Sequence, residues 1–293
     1  MLVVLICVLA AIGIVGGGYV IGRDLASAPT STGSSAVAPQ PPSPATPAPV
    51  APAPVDAGPF AKEFATLAAQ LNARVGIVVR PVGAGPQPVT AGEWSTGTAW
   101  STIKVPLAIA GLRETDPPEV TEAMRAAITQ SDNEAAESIW ASLGDPAAAA
   151  VKVEAVLAEA DAPTTVESRK VRPEFTAFGQ TTWSLGDQAT FLSSAACDPR
   201  NQPIMDLMGQ IASDQLWGLG QIEGAKFKGG WGPSLEGNYL VRQFGVIPVN
   251  DGAAVVAVAV EPKSGAFDDG TQALTQIANW LREHADLLPV GHC

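Results

Sequence analysis

Residues 2–22 form an unbroken apolar run, while over residues 29–59 apolar and polar positions follow neither a helical nor a strand period. The first stretch has the ~20 residues that a helix needs to cross a bilayer. No Lys or Arg precedes it and Arg23 follows it, so positive charge orients it weakly. Leu25-Ala26-Ser27-Ala28 also offers an A-x-A-like cleavage site. A retained anchor and a removed signal peptide therefore compete, and the length of the run favours the anchor. Cys7 lies too early in the run for a lipoprotein cleavage site. Either way the bulk of the chain is expected outside the cytoplasm, as a single-pass cell-membrane protein or as one secreted by cleavage after Ala28. The stretch that follows, with Pro41-Pro42-Ser43-Pro44 and Pro47-Ala48-Pro49 within it, cannot build a core. Its composition favours a disordered, semi-rigid spacer of polyproline II type. The expected organisation is thus a membrane or signal segment over 1–23, a Pro/Ala-rich linker over 24–58 and a folded domain over 59–293.

Periodicity begins at Pro59. Phe60, Phe64, Leu67 and Leu71 recur at helical spacing, with Pro59 suited to a first helical position. Short β-rich runs follow at 75–80 and 89–92. Helices are predicted over 101–114, 119–129, two within 134–159, 184–196 and 203–211. Between them 164–182 lacks any period and reads as a loop. Strands are predicted over 225–230, 239–249 and 253–261, and a final helix over 269–285 turns Leu274, Ile277, Ala278 and Leu281 inward. Strands at both ends of the chain with helices between imply one mixed α/β domain: an antiparallel sheet built from both ends, flanked by helices, with an inserted all-helical lobe.

The stretch from Trp100 to Ala110 is the start of a buried helix, and it carries Ser101 and Lys104 three positions apart, on one face. An amine held in an apolar wall loses hydration, which disfavours its charged form. A neutral amine can take the proton of a neighbouring hydroxyl and turn it into a nucleophile. Further on stand Ser131-Asp132-Asn133 and, in a predicted strand, Lys228-Gly229-Gly230-Trp231. Ser-Asp-Asn is also a common helix N-cap composition, and the two roles are compatible.

Ser-x-x-Lys, Ser-Asp-Asn and Lys-x-Gly in this order resemble the signature set of the serine β-lactamases and penicillin-binding proteins, and the class A β-lactamase branch in particular. The resemblance covers the chain from Ser101 onward. It implies a β-lactamase-like fold and an acyl-enzyme at Ser101, with Lys104 as base and Ser131 as proton relay. It implies that Asn133 holds Lys104 and the substrate amide, that Lys228 adds positive charge, and that Gly230 lets the backbone approach. The N–H groups of Ser101 and Trp231 would form the oxyanion hole. Arg242, on the next strand, is a candidate for a substrate carboxylate, with a surface role as the alternative. Glu167 is the expected deacylating base by spacing, with Glu174 as the alternative. The implied partner is a β-lactam or peptidoglycan-derived small molecule, and a monomer is expected.

Four departures stand out. Gly229 replaces the family's Thr or Ser, so a hydroxyl that grips a carboxylate is missing. Trp231 follows Gly230 and is expected to crowd the acyl pocket. Ser131 follows Ser101 by only 30 positions, so one wall of the cleft should be absent. Neither loop Glu is followed by the family's Asn, so deacylation is expected to be slow. A D,D-peptidase-like penicillin-binding protein and a non-catalytic cell-wall binding protein are the competing expectations.

Composition narrows the chemistry further. The net charge of -12 with scattered Lys and Arg argues against nucleic acid as a partner. Only two His occur, both near the C-terminus, which removes a Ser-His-Asp triad or a His-rich metal site from the body of the protein. The three Cys have no C-x-x-C spacing, so no zinc or redox motif and no cofactor is indicated. Cys197 and Cys293 are candidates for a disulfide whose formation the sequence leaves open.

Overall fold

The computed structural model describes residues 58–293. The apolar N-terminal run, the cleavage site at Ala28 and the proline-rich stretch lie outside the described residues. Among the described residues no helix is long and apolar enough to cross a membrane.

Helix α1 spans Pro59–Ala68, with proline in its first turn. Strands β1 (Ala73–Pro81) and β2 (Val89–Gly92) follow, then β3 (Thr96–Thr98). A 3-10 turn over Trp100–Ile103 leads into α2 (Lys104–Leu112). Three more helices build the lobe: α3 (Glu122–Thr129), α4 (Asn133–Ser142) and α5 (Pro146–Glu159). Then come β4 (Thr182–Ser184), α6 (Leu185–Ala195) and α7 (Gln202–Leu207). Strands β5 (Lys226–Pro233), β6 (Tyr239–Val249) and β7 (Gly252–Pro262), with α8 (Phe267–Glu283), close the chain.

The sheet runs β2-β1-β7-β6-β5 with every neighbour antiparallel. It is built from both ends of the chain because β1 pairs with β7 along its whole length, from Ala73↔Pro262 to Pro81↔Ala254. Strand β7 lies at the centre and its Val and Ala side chains from 254 to 260 are buried on both faces, as expected of a strand covered from both sides. One cover is α8, whose stripe of Ala273, Leu274, Ile277, Ala278 and Leu281 is buried at helical spacing. Helix α1 docks on it, with Phe60 and Phe64 each edge-on to Trp280 at 5.4 Å. The other cover is α6, where Trp183, Phe191 and Phe244 pack ring against ring.

Two details differ from the sequence reading. The helix expected to start at Ser101 opens as a 3-10 turn and becomes α-helical only at Lys104. The period-free region around 182–184 pairs with β3 as a separate two-stranded sheet. Three-residue strands are too short to carry a period of two. Cys197 and Cys293 form a disulfide, their Cα atoms 5.0 Å apart, which ties the C-terminus to the end of α6.

Candidate active site

Ser101 sits in the first turn of the 3-10 segment, half-buried, and Lys104 follows one turn later at the start of α2. First-turn N–H groups have no partner within their own helix, so the Ser101 N–H is available to a ligand. The preceding Trp100 has φ +49 and Ser131 has φ +58. Such left-handed conformations cost side-chain-bearing residues about 1–3 kcal/mol each and cluster at functional sites. Ser131 stands between α3 and α4, and Asp132 caps α4 by accepting from the Ala135 N–H at 2.7 Å.

Two lysines converge on Ser131 from opposite sides. Lys104 Nζ donates to the Ser131 carbonyl at 2.6 Å and to Asn133 Oδ1 at 2.8 Å. Lys228 Nζ donates to Ser131 Oγ at 2.8 Å and to the Gly229 carbonyl at 2.9 Å. Both side chains are almost wholly excluded from solvent. Burial pulls the Lys104 amine down to about 7, against a smaller opposing effect of the Asp132 charge. Burial, helped by the Lys104 charge, also holds Lys228 well below the ordinary lysine range. A neutral amine has two N–H groups and one lone pair. Both N–H groups of Lys104 are taken by pure acceptors, which leaves the lone pair for an incoming proton. Ser131 Oγ accepts from Lys228, so its own proton is free to be donated into the hollow.

Strand β5 presses against the nucleophile turn. A Cβ on Gly230 would lie 2.9 Å from Ala99 O, Ser101 N and Thr102 N, all backbone atoms. Only glycine lets the strand come this close. Phe227 N–H donates outward, to the Met208 carbonyl at 2.9 Å. Because N–H groups alternate along a strand, the Trp231 N–H points to the same free edge, the edge that meets Ser101. The backbone donors of Ser101 and Trp231 therefore border one hollow.

The pleat that brings Lys228 and Gly230 to this face turns Trp231 to the other. Its ring stacks edge-on against Trp217 at 5.8 Å and tilts against Phe267 at 5.5 Å. Trp231 shares this second face with Gly229, whose Cβ position also meets the rings of Trp217 and Trp231.

Arg242 is also placed differently from expectation. It lies opposite Gly230 in the register and is fully buried beneath the turn. Its guanidinium donates to the carbonyls of Gly97, Thr98 and Trp183 and, at 2.6 Å, to Gln188 Oε1. Desolvation brings it down to about 9. With both terminal nitrogens committed to the scaffold and its Nε buried without a partner, it does not reach a substrate carboxylate. Gln188 in turn donates to Thr102 Oγ1 at 2.8 Å, and Thr102 Oγ1 donates to Ala99 O at 2.6 Å. This buried relay under the nucleophile turn was missed from sequence, where neither Thr102 nor Gln188 carries a motif.

The loop carboxylates are engaged elsewhere. Glu167 Oε1 accepts from the Arg169 N–H at 2.8 Å and faces its guanidinium at 3.4 Å, which holds the carboxyl below its ordinary range. Glu174 is exposed and pairs with Arg172 at 3.1 Å. The acid whose charge acts on Lys104 is Asp132. Glu167, the expected deacylating base, thus has its carboxylate engaged by Arg169. Glu167 borders a groove of about 1360 Å³ that runs past Trp100 along the strand ends and does not include Ser101 or Lys104.

No family model and no curated protein matches the sequence. Solved structures with this fold include β-lactamases, class A enzymes among them. The extended-spectrum β-lactamase TLA-3 superposes with a TM-score of 0.60 at 14% identity, over 75% of this chain and 99% of that one. The β-lactamase from Streptosporangium roseum gives 0.58 at 17%, over 78% and 98%. An ancestral (GNCA) class A β-lactamase gives 0.59 at 20%, over 77% and 99%. The chain thus has the class A β-lactamase fold, a mixed architecture with an antiparallel sheet flanked by helices.

Proposed function

We propose that this protein is a serine acyl hydrolase of the β-lactamase-like type, acting on β-lactam or related amide carbonyls through an acyl-enzyme at Ser101. The observation that carries the reading is the pair of buried amines, Lys104 and Lys228, meeting on Ser131 one turn from Ser101. Ser101 Oγ attacks the carbonyl carbon as its proton passes to the Lys104 lone pair. The developing oxyanion is received by the N–H groups of Ser101 and Trp231, a contribution of about 3 kcal/mol per donor at such sites. Ser131 gives its proton to the leaving nitrogen and is resupplied by the protonated Lys228 amine that donates to its Oγ. Asn133 fixes Lys104 and Gly230 permits the approach of the edge strand.

Deacylation is the weak step in this scheme. Glu167 and Glu174 are both paired to arginines, so neither is free to activate water, and the acyl-enzyme would persist. That same observation favours a second reading, a D,D-peptidase-like penicillin-binding protein working on peptidoglycan stem peptides. The Cys197–Cys293 disulfide fits an oxidising compartment outside the cytoplasm. The proposed setting is a monomeric domain held at the cell membrane by the N-terminal segment, or secreted after its removal.

Intact-mass spectrometry after exposure to a penicillin tests the reading. One adduct per chain on the wild type, absent from Ser101→Ala, is the expected result. No adduct on either, or equal adducts on both, ends the enzyme reading in favour of a non-catalytic cell-wall binding protein. Turnover of nitrocefin against turnover of a D-Ala-D-Ala peptide separates the two catalytic readings.

A further inference from the structure

Gly229 has little space beside it. Its backbone is not in the left-handed region, but a Cβ there would lie 3.1 and 3.4 Å from the benzo ring of Trp217 and 3.6 Å from the ring of Trp231. The indole of Trp217 thus fills the place a side chain would take, directly beside the residue whose carbonyl binds Lys228 Nζ. The ring is set firmly. Buried Gln243 donates to the Trp217 carbonyl at 2.8 Å and accepts from the Leu219 N–H at 2.8 Å, while Gly218 N–H donates to Thr275 Oγ1 at 2.9 Å. Gly218 itself has φ +59 and touches Gln243 so closely that no side chain fits.

Trp217 belongs to a rim of four partly exposed rings. It meets Trp231 at 5.8 Å and Phe267 at 6.0 Å, and Tyr239 meets Phe267 at 5.8 Å. This rim carries aromatic faces beside Gly229, whose carbonyl accepts from Lys228 Nζ, and position 229 has no hydroxyl to bind a carboxylate. The nearby cations offer little to an anion either. The Lys228 amine is buried, committed to Ser131 and Gly229, and desolvated toward its neutral form. Arg242 is committed to backbone carbonyls.

We infer that the substrate portion leaving from the scissile bond is uncharged and aromatic, lying against Trp217 at the free edge of β5, so that aryl esters or aryl amides are preferred over carboxylate-bearing ones. The inference rests on the proposed acyl-enzyme at Ser101. For an aryl ester, the Oγ–acyl bond forms as the acyl–O(aryl) bond breaks. The Ser101 proton goes to Lys104 and a proton from Ser131 goes to the departing aryl oxygen. Water then releases the acid and restores Ser101.

The test is kcat/KM for two esters with one acyl group, 4-nitrophenyl butyrate and its 3-carboxy-4-nitrophenyl counterpart. They are assayed on the wild type, Trp217→Ala and the double variant Trp217→Ala/Gly229→Thr. Labelling of Ser101 by a fluorophosphonate is followed in parallel. The wild type should favour the uncharged ester by at least about tenfold. Trp217→Ala should lower the rate on that ester by roughly three- to tenfold, the range expected for one aromatic contact. It should spare the charged ester, and the double variant should narrow the preference further by restoring a hydroxyl with room to stand. A wild-type preference for the carboxylate ester, or an equal loss on both esters in Trp217→Ala, overturns the inference while labelling keeps the nucleophile reading intact. Failure of the wild type to label at Ser101 overturns both. A Trp217→Ala chain that labels at the wild-type rate is folded at the site, so its ester selectivity decides the matter.

Discussion

The contact between β5 and the nucleophile turn gives the most direct handle on how this site is held. In Gly230→Ala the new methyl would stand 2.9 Å from Ala99 O, Ser101 N and Thr102 N. Carbon contacts settle at about 3.5 Å or more, so roughly 0.5 Å of separation must be found. All three neighbours are backbone atoms of one turn, so no side chain can swing aside. Strand β5 is anchored along its length to β6, from Lys226↔Val246 to Pro233↔Tyr239. The turn carrying Ser101 is therefore the part that recoils. Overpacking of this kind costs about 1–3 kcal/mol, and at about 2–4 °C per kcal/mol for a domain of this size Tm should fall by roughly 3–10 °C. A displacement of 1 Å at a reacting group can cost about a hundredfold in rate, so acylation should slow on the order of tenfold.

The assay pairs a thermal melt with time-resolved intact mass after mixing with a penicillin or a fluorophosphonate. The control is Gly186→Ala, on the exposed face of α6, where a Cβ meets only Ser184 Oγ at 3.7 Å. That change should stabilise by about 0.5–1 kcal/mol through helix propensity and leave the acylation rate alone. A Gly230→Ala protein that acylates and melts like wild type would refute the claim that the strand presses on the nucleophile turn.

Five further outcomes follow from other contacts in the fold. Acylation requires the neutral Lys104 amine, so its rate should rise with pH and reach half its maximum near 7; a profile flat from pH 5 to 9 counts against Lys104 as base. Because that value lies below 10.5, the unfolded chain binds a proton the native state has lost, so stability should rise with pH between about 7 and 10.5. Lys104→Met should flatten that part of the slope in urea titrations. Arg242→Met strands the carbonyls of Gly97, Thr98 and Trp183 in the interior, and urea unfolding should register a loss of about 3–5 kcal/mol; a loss under 1 kcal/mol would mean the carbonyls find other donors. Cys293→Ser opens a loop closed across 96 positions, for which chain entropy predicts about 4 kcal/mol, visible as a lower Tm matched by reduction of the wild type. Glu167→Gln should leave both formation and decay of the acyl-enzyme unchanged, and faster accumulation of adduct in the variant would restore Glu167 as the deacylating base.

What could be read from the sequence was what depends on neighbours along the chain. The i,i+3 spacing puts Ser101 and Lys104 on one turn, Ser131-Asp132-Asn133 opens a helix with its own cap, and the strands of the sheet are apolar enough to announce themselves. β3 and β4 were not legible because each has three residues and their pairing is entirely tertiary. The partners of Arg242 and Glu167 were not legible for the same reason. A guanidinium and a carboxylate look equally available in any sequence, and only the fold supplies the carbonyls that occupy one and the arginine that occupies the other. Trp231 is a different case, since the period of a strand already puts it on the face of Gly229 rather than that of Lys228 and Gly230. Taken singly, Gly229 and Trp231 look like erosion of a motif. In the fold they are one packing solution, in which glycine makes room for Trp217 and Trp231 supports the ring from the side.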